Sequence, residues 1–219
     1  MYEELIKRFL LKCESYSPQD IEKITKAAEY ANLKHINQKR KSGEPYIIHP
    51  IAVAELLIQL KMDADSVCGG LLHDVIEDTD ATEEEVEQLF GKNVCDLVQG
   101  VTKIKAIKNH SRSLAEAETI RKMFIAMSKN IPVIIIKLCD RLHNMRTLGS
   151  MPPAKQLKIC GETLYIYAPL AQRLGFFKIK TELENLCFKY EQPQMYKSLA
   201  PQLLQVTPML EESCTIFTR

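Results

Sequence analysis

Residues 67–78 read VCGGLLHDVIED, an apolar segment that runs directly into four ionisable side chains. The residues from Asp63 to Ser66 precede this segment and can cap the N-terminus of a helix. The pattern therefore predicts one largely buried helix over about 67–78. Ionisable groups at the end of a buried helix cost free energy unless a metal ion or partner residues compensate them.

The ionisable residues of this segment form two adjacent rows on the predicted helix. His73 and Glu77 are four positions apart, and so are Asp74 and Asp78. A solvated helix C-terminus explains the acidic residues equally well, because acidic residues commonly follow an apolar stretch. The segment by itself leaves both interpretations open.

Two further ionisable residues lie outside this segment, one at the start of a predicted helix and the other directly after an apolar run. His49 directly precedes Pro50 at the start of a predicted helix, where a histidine more often caps or packs than binds a metal. Asp140 follows the most apolar run of the chain, residues 133–139, and is either an ion-pair partner of Lys137 or a ligand. Two imidazoles and two carboxylates suit Mn²⁺, Fe²⁺ or Zn²⁺. The candidate metal ligands are His49, His73, Asp74 and Asp140.

Helical periodicity covers most of the remaining chain and predicts an all-α fold. Residues 131–139 are rich in β-branched side chains, but the apolar spacing continues through Met145 and favours a helix. Residues 38–47 and the basic stretch 101–113 lack this periodicity and are predicted to be loops. The other predicted helices span about 17–31, 50–61, 82–90, 114–129, 154–172 and 176–190.

Composition excludes several classes of protein. The 219 residues are 46% hydrophobic and 26% charged, with a formal net charge of +1, so neither nucleic acid nor a membrane surface is an expected partner. No apolar run approaches the roughly 20 residues of a membrane span. Seven cysteines without a CxxC pair predict reduced, buried thiols in a cytoplasmic protein. There is no Walker loop.

The order of the candidate ligands resembles that of the HD-type metal-dependent phosphohydrolases. Longer segments resemble, more specifically, the hydrolase domain of the bifunctional Rel/SpoT alarmone enzymes. These segments are RKSGEPY at 40–46, LHDVIEDT at 72–79, DRLHNMRTL at 140–148, YAPLAQRLG at 167–175 and KTELE at 180–184. The resemblance extends over about residues 20–196 and rests on several motifs in the same order.

This resemblance implies an all-helical bacterial domain that uses Mn²⁺ to hydrolyse guanosine tetra- and pentaphosphate. The 3′-pyrophosphate would be removed, leaving GDP or GTP, as part of alarmone turnover in the stringent response. Carried over by position, the metal ligands are His49, His73, Asp74 and Asp140. Glu77 and Asp78 match the acidic pair that orients or deprotonates the attacking water. The substrate-binding positions are Arg40, Lys41, Ser42, Asn144 and Thr147.

The remaining expectations concern the neighbours of these residues and the extent of the domain. Arg141, His143 and Arg146 follow Asp140 on one helix and are interpreted as holding it by ion pairs. We expect a hydrolase domain at 1–195, and at 196–219 a tail or a connection to synthetase and regulatory domains absent from this chain. Two alternatives are another mononuclear HD-type nucleotide phosphohydrolase and a catalytically silent regulatory HD module.

Overall fold

The computed structural model describes residues 2–105 and 130–199. All regular secondary structure in these two ranges is helical, and a single isolated β-bridge joins Lys39 to Pro45. The prediction of an all-α fold is confirmed. In the described ranges, no helix combines the length and the apolar character needed to cross a membrane. The predicted helix at 114–129, most of the basic loop and nearly all of the predicted tail lie outside the described residues.

The chain divides into two compact units, Met1–Ser150 and Met151–Arg219. The first unit contains helices α1 (Tyr2–Leu10), α2 (Pro18–Lys34), α3 (Ile48–Gln59), α4 (Ala64–Leu72), α5 (Val75–Asp78), α6 (Glu83–Phe90), α7 (Lys92–Lys105) and α8 (Ile131–Arg146). The second contains α9 (Pro153–Glu162), a π-helical turn (Thr163–Tyr167), α10 (Ala168–Arg173) and α11 (Phe177–Glu191). The predicted boundary at residue 195 falls within the second unit and stays a prediction.

Side-chain caps begin three of the helices in the first unit. Ser17, Asp63 and Thr82 each accept a hydrogen bond from the backbone N–H three residues further along the chain. These bonds satisfy amide groups that have no partner within the helix. The predicted starts of α2 and α6 are therefore confirmed, whereas α4 begins at Ala64, three residues before the predicted position.

Helix α4 lies at the centre of the first unit and packs against α2, α3, α7 and α8. A Cβ atom on Gly70 would overlap Cδ1 of Leu57 on α3, and one on Gly69 would lie 3.1 Å from Cδ1 of Ile136 on α8. The two glycines thus let α3 and α8 approach α4 closely. This approach places the first turn of α3 and the middle of α8 near the C-terminal end of α4.

The predicted helix over 67–78 is interrupted, so that part of the prediction is wrong. Helix α4 ends at Leu72, and the short helix α5 begins at Val75. Nδ1 of His73 lies 2.8 Å from the carbonyl oxygen of Gly70, within the last turn of α4. The imidazole therefore occupies an acceptor that helix continuation would use, and His73 lies in the turn between the two helices.

Helix α7 also differs from the prediction, because it continues through Lys105 where a loop was predicted from residue 101. Val98 and Val101 are both buried and are spaced three residues apart. Their burial on one face maintains the helix despite the basic residues that follow.

The predicted state of the cysteines agrees with the structure. In the described part of the chain six cysteines are buried, and none forms a disulfide. They are Cys13, Cys68, Cys95, Cys139, Cys160 and Cys187. Burial raises the pKa of the Cys139 thiol to about 12, which keeps that group protonated and unreactive.

Candidate metal centre

Three buried side chains from different parts of the chain converge at the C-terminal end of α4. Nε2 of His49, in the first turn of α3, lies 3.3 Å from Oδ1 of Asp140 on α8, and Nε2 of His73 lies 3.9 Å from the same oxygen. The donor atoms of all three residues lie within 4.8 Å of one another. Two imidazole nitrogens and a carboxylate oxygen at these separations can bind one divalent ion.

The hydrogen bonding of His73 fits a metal ligand. A carbonyl oxygen can only accept, so Nδ1 of His73 donates to Gly70, and in the neutral ring the lone pair lies on Nε2. Nε2 is fully buried and makes no hydrogen bond, although Oδ2 of Asp74 is 3.0 Å away. An unsatisfied buried nitrogen is costly, and a bound cation would satisfy it. The residues present therefore fit a divalent metal ion.

Asp74, the fourth predicted ligand, lies beside this group. Its Oδ2 is 3.0 Å from Nε2 of His73 and 3.7 Å from Nε2 of His49, and its side chain is buried. The same oxygen accepts a hydrogen bond of 2.5 Å from the hydroxyl of Tyr46. The structure thus brings all four predicted ligands together. We call His49, His73, Asp74 and Asp140 the candidate metal centre.

The two oxygens of Asp140 have different partners. Nζ of Lys137 lies 2.6 Å from Oδ2, in a buried ion pair. Nδ2 of Asn144 donates to Oδ1 at 2.5 Å, and this is the oxygen that faces the two imidazoles. The ion pair and the ligand geometry, which the sequence left as alternatives, therefore occur together.

The buried environment shifts the pKa values of His49 and His73 in opposite directions. Burial lowers the pKa of His49. Burial also opposes protonation of His73, but the adjacent Asp74 and Asp140 carboxylates outweigh it and raise the pKa of that ring. For Asp140, burial disfavours the charged form, but Lys137 and the two imidazoles hold its pKa well below the usual range. The carboxylates therefore favour positive charge at the candidate metal centre.

The predicted acidic pair lies on α5, next to the candidate metal centre. Asp78 and Glu77 are both exposed. Oδ2 of Asp78 accepts a hydrogen bond of 3.2 Å from the same Tyr46 hydroxyl that donates to Asp74. One tyrosine hydroxyl therefore connects an exposed carboxylate with a buried one.

Three of the five predicted substrate-binding residues are hydrogen-bonded to one another, with Arg40 as the shared donor. The guanidinium of Arg40 donates to Oδ1 of Asn144 at 2.8 Å and to Oγ1 of Thr147 at 3.3 Å. Asn144 also contacts Asp140, which connects these residues to the candidate metal centre. Lys41 and Ser42 are instead exposed on the turn of the 38–47 loop, and Ser42 donates to Glu44 at 3.0 Å.

Two residues at this site were not recognised from the sequence. Tyr46 appeared there only as part of a motif, yet its hydroxyl contacts two carboxylates and its ring stacks on His35 with centroids 4.4 Å apart. His143 was interpreted as an ion-pair partner of Asp140, but its Nδ1 lies 2.8 Å from Nδ1 of His49. The available signal for Tyr46 was its position three residues before His49, a candidate ligand. Nothing in the sequence indicated the contact between His49 and His143.

The chain matches known proteins over most of its length. The family model described as HD domain matches residues 27–177, which include the whole candidate metal centre. The bifunctional (p)ppGpp synthase/hydrolase SpoT of Escherichia coli (strain K12) is 51% identical over 185 residues, 84% of this chain and 26% of that protein. The GTP pyrophosphokinase of Myxococcus xanthus is 53% identical over 192 residues, 86% of this chain and 25% of that protein. The chain thus spans about a quarter of the length of these relatives.

A solved structure is also similar to this fold. It is that of a metazoan ortholog of SpoT that hydrolyzes ppGpp. The sequences are 28% identical and the TM-score is 0.60. The match covers 78% of this chain and 96% of that one.

Proposed function

This chain belongs to the HD domain family, and we propose that it is a Mn²⁺-dependent hydrolase of guanosine 3′,5′-bis(diphosphate) and its pentaphosphate analogue. The reaction removes the 3′-pyrophosphate and leaves GDP or GTP, in the turnover of an alarmone in the cytoplasm. The observation that carries this proposal is the convergence of His49, His73 and Asp140 within 4.8 Å. Asp74 adds a second carboxylate beside them.

The candidate metal centre supports the first part of the proposal. Its four residues would hold the ion, and their mixture of imidazole and carboxylate donors suits Mn²⁺. When bound, a divalent ion lowers the pKa of a coordinated water and polarises a phosphoryl oxygen. Lys137 neutralises one oxygen of Asp140, and the other oxygen remains directed towards His49.

The acidic pair supplies the proton-transfer groups in this proposal. Glu77 and Asp78 are exposed carboxylates at the edge of a buried centre, where a base can reach both a water molecule and the solvent. The Tyr46 hydroxyl holds Asp78 beside Asp74. We assign the pair to orienting the attacking water and accepting its proton.

The substrate carries several negative charges, and the guanidinium of Arg40 is connected to the candidate metal centre through Asn144. Arg40 donates hydrogen bonds to Asn144, in the last turn of α8, and to Thr147, the residue that follows this helix. Both acceptors come after Asp140 in the chain, and Asn144 lies one helical turn from it. Lys41 and Ser42 extend from the same loop into solvent. We assign these five residues to binding the nucleotide, with the guanidinium as the principal phosphate contact.

The comparisons favour hydrolysis over synthesis. One relative is named for both activities and the other for a pyrophosphokinase, but this chain spans only about a quarter of either. The metazoan structure supports hydrolysis, because this chain covers 96% of a protein that hydrolyzes ppGpp. We therefore propose no synthetase activity for this chain.

Product analysis tests the proposal. The protein is incubated with guanosine tetraphosphate and Mn²⁺, with and without EDTA, and the products are separated by ion-exchange chromatography. We expect equimolar GDP and pyrophosphate, and no turnover with EDTA. The Asp140→Asn variant should be inactive, whereas Asp96→Asn, at an exposed position of α7, should be active. Orthophosphate as the product would favour another nucleotide phosphohydrolase, and bound Mn²⁺ without turnover would favour a silent regulatory module.

A further inference from the structure

His143 is a buried histidine without an assigned role in the proposed reaction, yet its ring contacts a proposed metal ligand. Its Nδ1 lies 2.8 Å from Nδ1 of His49, and the ring centroids are 4.9 Å apart. Both side chains are buried. The contact joins residues 94 positions apart in the chain, on α3 and α8.

Two ring nitrogens at this distance share one proton. If both carried hydrogen they would clash, and if neither did, two lone pairs would face each other in a buried environment. One histidine therefore donates and the other accepts. The hydrogen-bond distance is compatible with either arrangement.

Metal binding is compatible with only one of these arrangements. Nε2 of His49 faces Asp140 at 3.3 Å and Asp74 at 3.7 Å, so Nε2 is the atom that would bind the ion. A neutral imidazole that binds through Nε2 carries its proton on Nδ1. Nδ1 of His143 must then be the acceptor.

We propose that His143 is a positioning residue, which accepts the Nδ1 proton of His49 and so directs the Nε2 lone pair of His49 towards the metal. This inference rests on the proposed metal centre. His73 has an equivalent acceptor in the carbonyl of Gly70, which cannot donate. His143 performs the same task for His49 through a side chain. Such partners fix the tautomer and orientation of a ligand histidine, and their loss typically weakens metal binding 10- to 100-fold.

Three substitutions of one residue test this role. In His143→Asn the amide oxygen replaces Nδ1, because both atoms occupy the δ position of the side chain. In His143→Gln the polar atoms occupy the ε position, further from His49. His143→Leu removes the acceptor. The dissociation constant for Mn²⁺ is measured by electron paramagnetic resonance of the free ion, and circular dichroism checks folding.

We expect His143→Leu and His143→Gln to bind Mn²⁺ 10- to 100-fold more weakly than the wild type, and His143→Asn to remain within about threefold. At saturating Mn²⁺ the kcat for the nucleotide should change less than the metal affinity. The inference would be overturned if His143→Asn and His143→Leu weakened Mn²⁺ binding equally, or if His143→Leu bound Mn²⁺ as tightly as the wild type. If the Leu variant does not fold, the comparison of Asn with Gln decides in the same way.

The outcome separates this inference from the proposed function. Wild-type turnover of guanosine tetraphosphate with unchanged metal affinity in all three variants would leave the hydrolase assignment intact and remove His143 from its role. If the variants show the expected order of Mn²⁺ affinities but the protein does not turn over guanosine tetraphosphate, His143 keeps its positioning role and the proposed substrate is wrong. A wild-type protein that binds no Mn²⁺ would overturn both.

Discussion

Lys137 and Asp140 form a buried ion pair on α8, with 2.6 Å between Nζ and Oδ2. The side chains are each 8% exposed, so solvent does little to screen the charges. The ammonium group takes one carboxylate oxygen, while the other faces Nε2 of His49 at 3.3 Å. The pair therefore neutralises a buried charge and leaves one oxygen directed towards the candidate metal centre.

Replacing Lys137 by methionine should destabilise the metal-free protein. The substitution leaves the Asp140 carboxylate buried without its principal counter-charge, which typically lowers the free energy of unfolding by about 3–5 kcal/mol. Added Mn²⁺ should restore part of this loss, because the ion compensates the carboxylate and binds only the folded state. Urea denaturation in EDTA and in Mn²⁺ measures both effects.

The exposed pair of Lys26 with Glu22 provides the control for Lys137. Its length is 2.7 Å, almost the same, but its side chains are 63% and 66% exposed. Lys26→Met should therefore have little effect on unfolding. Similar small changes in both variants would contradict the argument that burial makes the pair of Asp140 important.

Asp74→Ala should abolish both metal binding and hydrolysis. It removes a carboxylate 3.0 Å from Nε2 of His73 and reduces the negative charge that favours a cation there. Metal content by atomic emission and turnover of guanosine tetraphosphate measure the effect. Asp80→Ala, six residues away at an exposed position, is the matched control and should retain both. Stoichiometric Mn²⁺ with full turnover in Asp74→Ala would refute the ligand assignment.

Glu77→Gln should separate chemistry from metal binding. The glutamine keeps the size of the side chain but cannot accept a proton, so kcat should fall by roughly 10²–10⁴-fold while the metal content stays unchanged. The exposed Glu84 on α6 offers the control substitution Glu84→Gln, which should leave both quantities unaltered. Joint loss of metal and activity in Glu77→Gln would show that Glu77 is a ligand or a structural residue.

Tyr46→Phe should weaken the candidate metal centre without disturbing the fold. It removes the hydroxyl that donates to Asp74 and Asp78 but keeps the ring that stacks on His35. We expect the dissociation constant for Mn²⁺, measured by calorimetry, to rise about 10- to 100-fold. Tyr165→Phe, at a residue that is 74% exposed, should have no such effect. An unchanged constant in Tyr46→Phe would mean that the hydroxyl contributes nothing to ligand positioning.

Arg40→Ala should affect substrate binding more than catalysis. A charge-assisted contact to phosphate is worth about 1.5–3 kcal/mol, so KM should rise roughly 10- to 150-fold, with a smaller effect on kcat and none on metal content. The KM of the wild type should also increase more steeply with ionic strength than that of the variant. Lys39→Ala, at the exposed neighbouring position, should change KM less than about twofold. Equal KM values and equal salt dependence would exclude Arg40 from the site.

The sequence by itself determined the features that depend on neighbours along the chain. Caps such as Ser17, Asp63 and Thr82 act within one helical turn, so the starts of α2 and α6 and the capping segment of α4 could be predicted. Apolar spacing predicted the helix at 131–146 in spite of its β-branched residues. The motifs, each a run of consecutive residues, and their order along the chain were sufficient to identify the candidate ligands and the family.

Only the tertiary structure decided which atoms of these residues face one another. The contact of Arg40 with Asn144 spans 104 positions, and that of His49 with His143 spans 94, so no local pattern encodes either. The interruption after Leu72 rests on a local bond between His73 and Gly70, but the apolar pattern of the segment favoured a continuous helix. The two long-range contacts require α3 and α8 to approach the glycines of α4, and such close packing depends on the whole core rather than on any one segment.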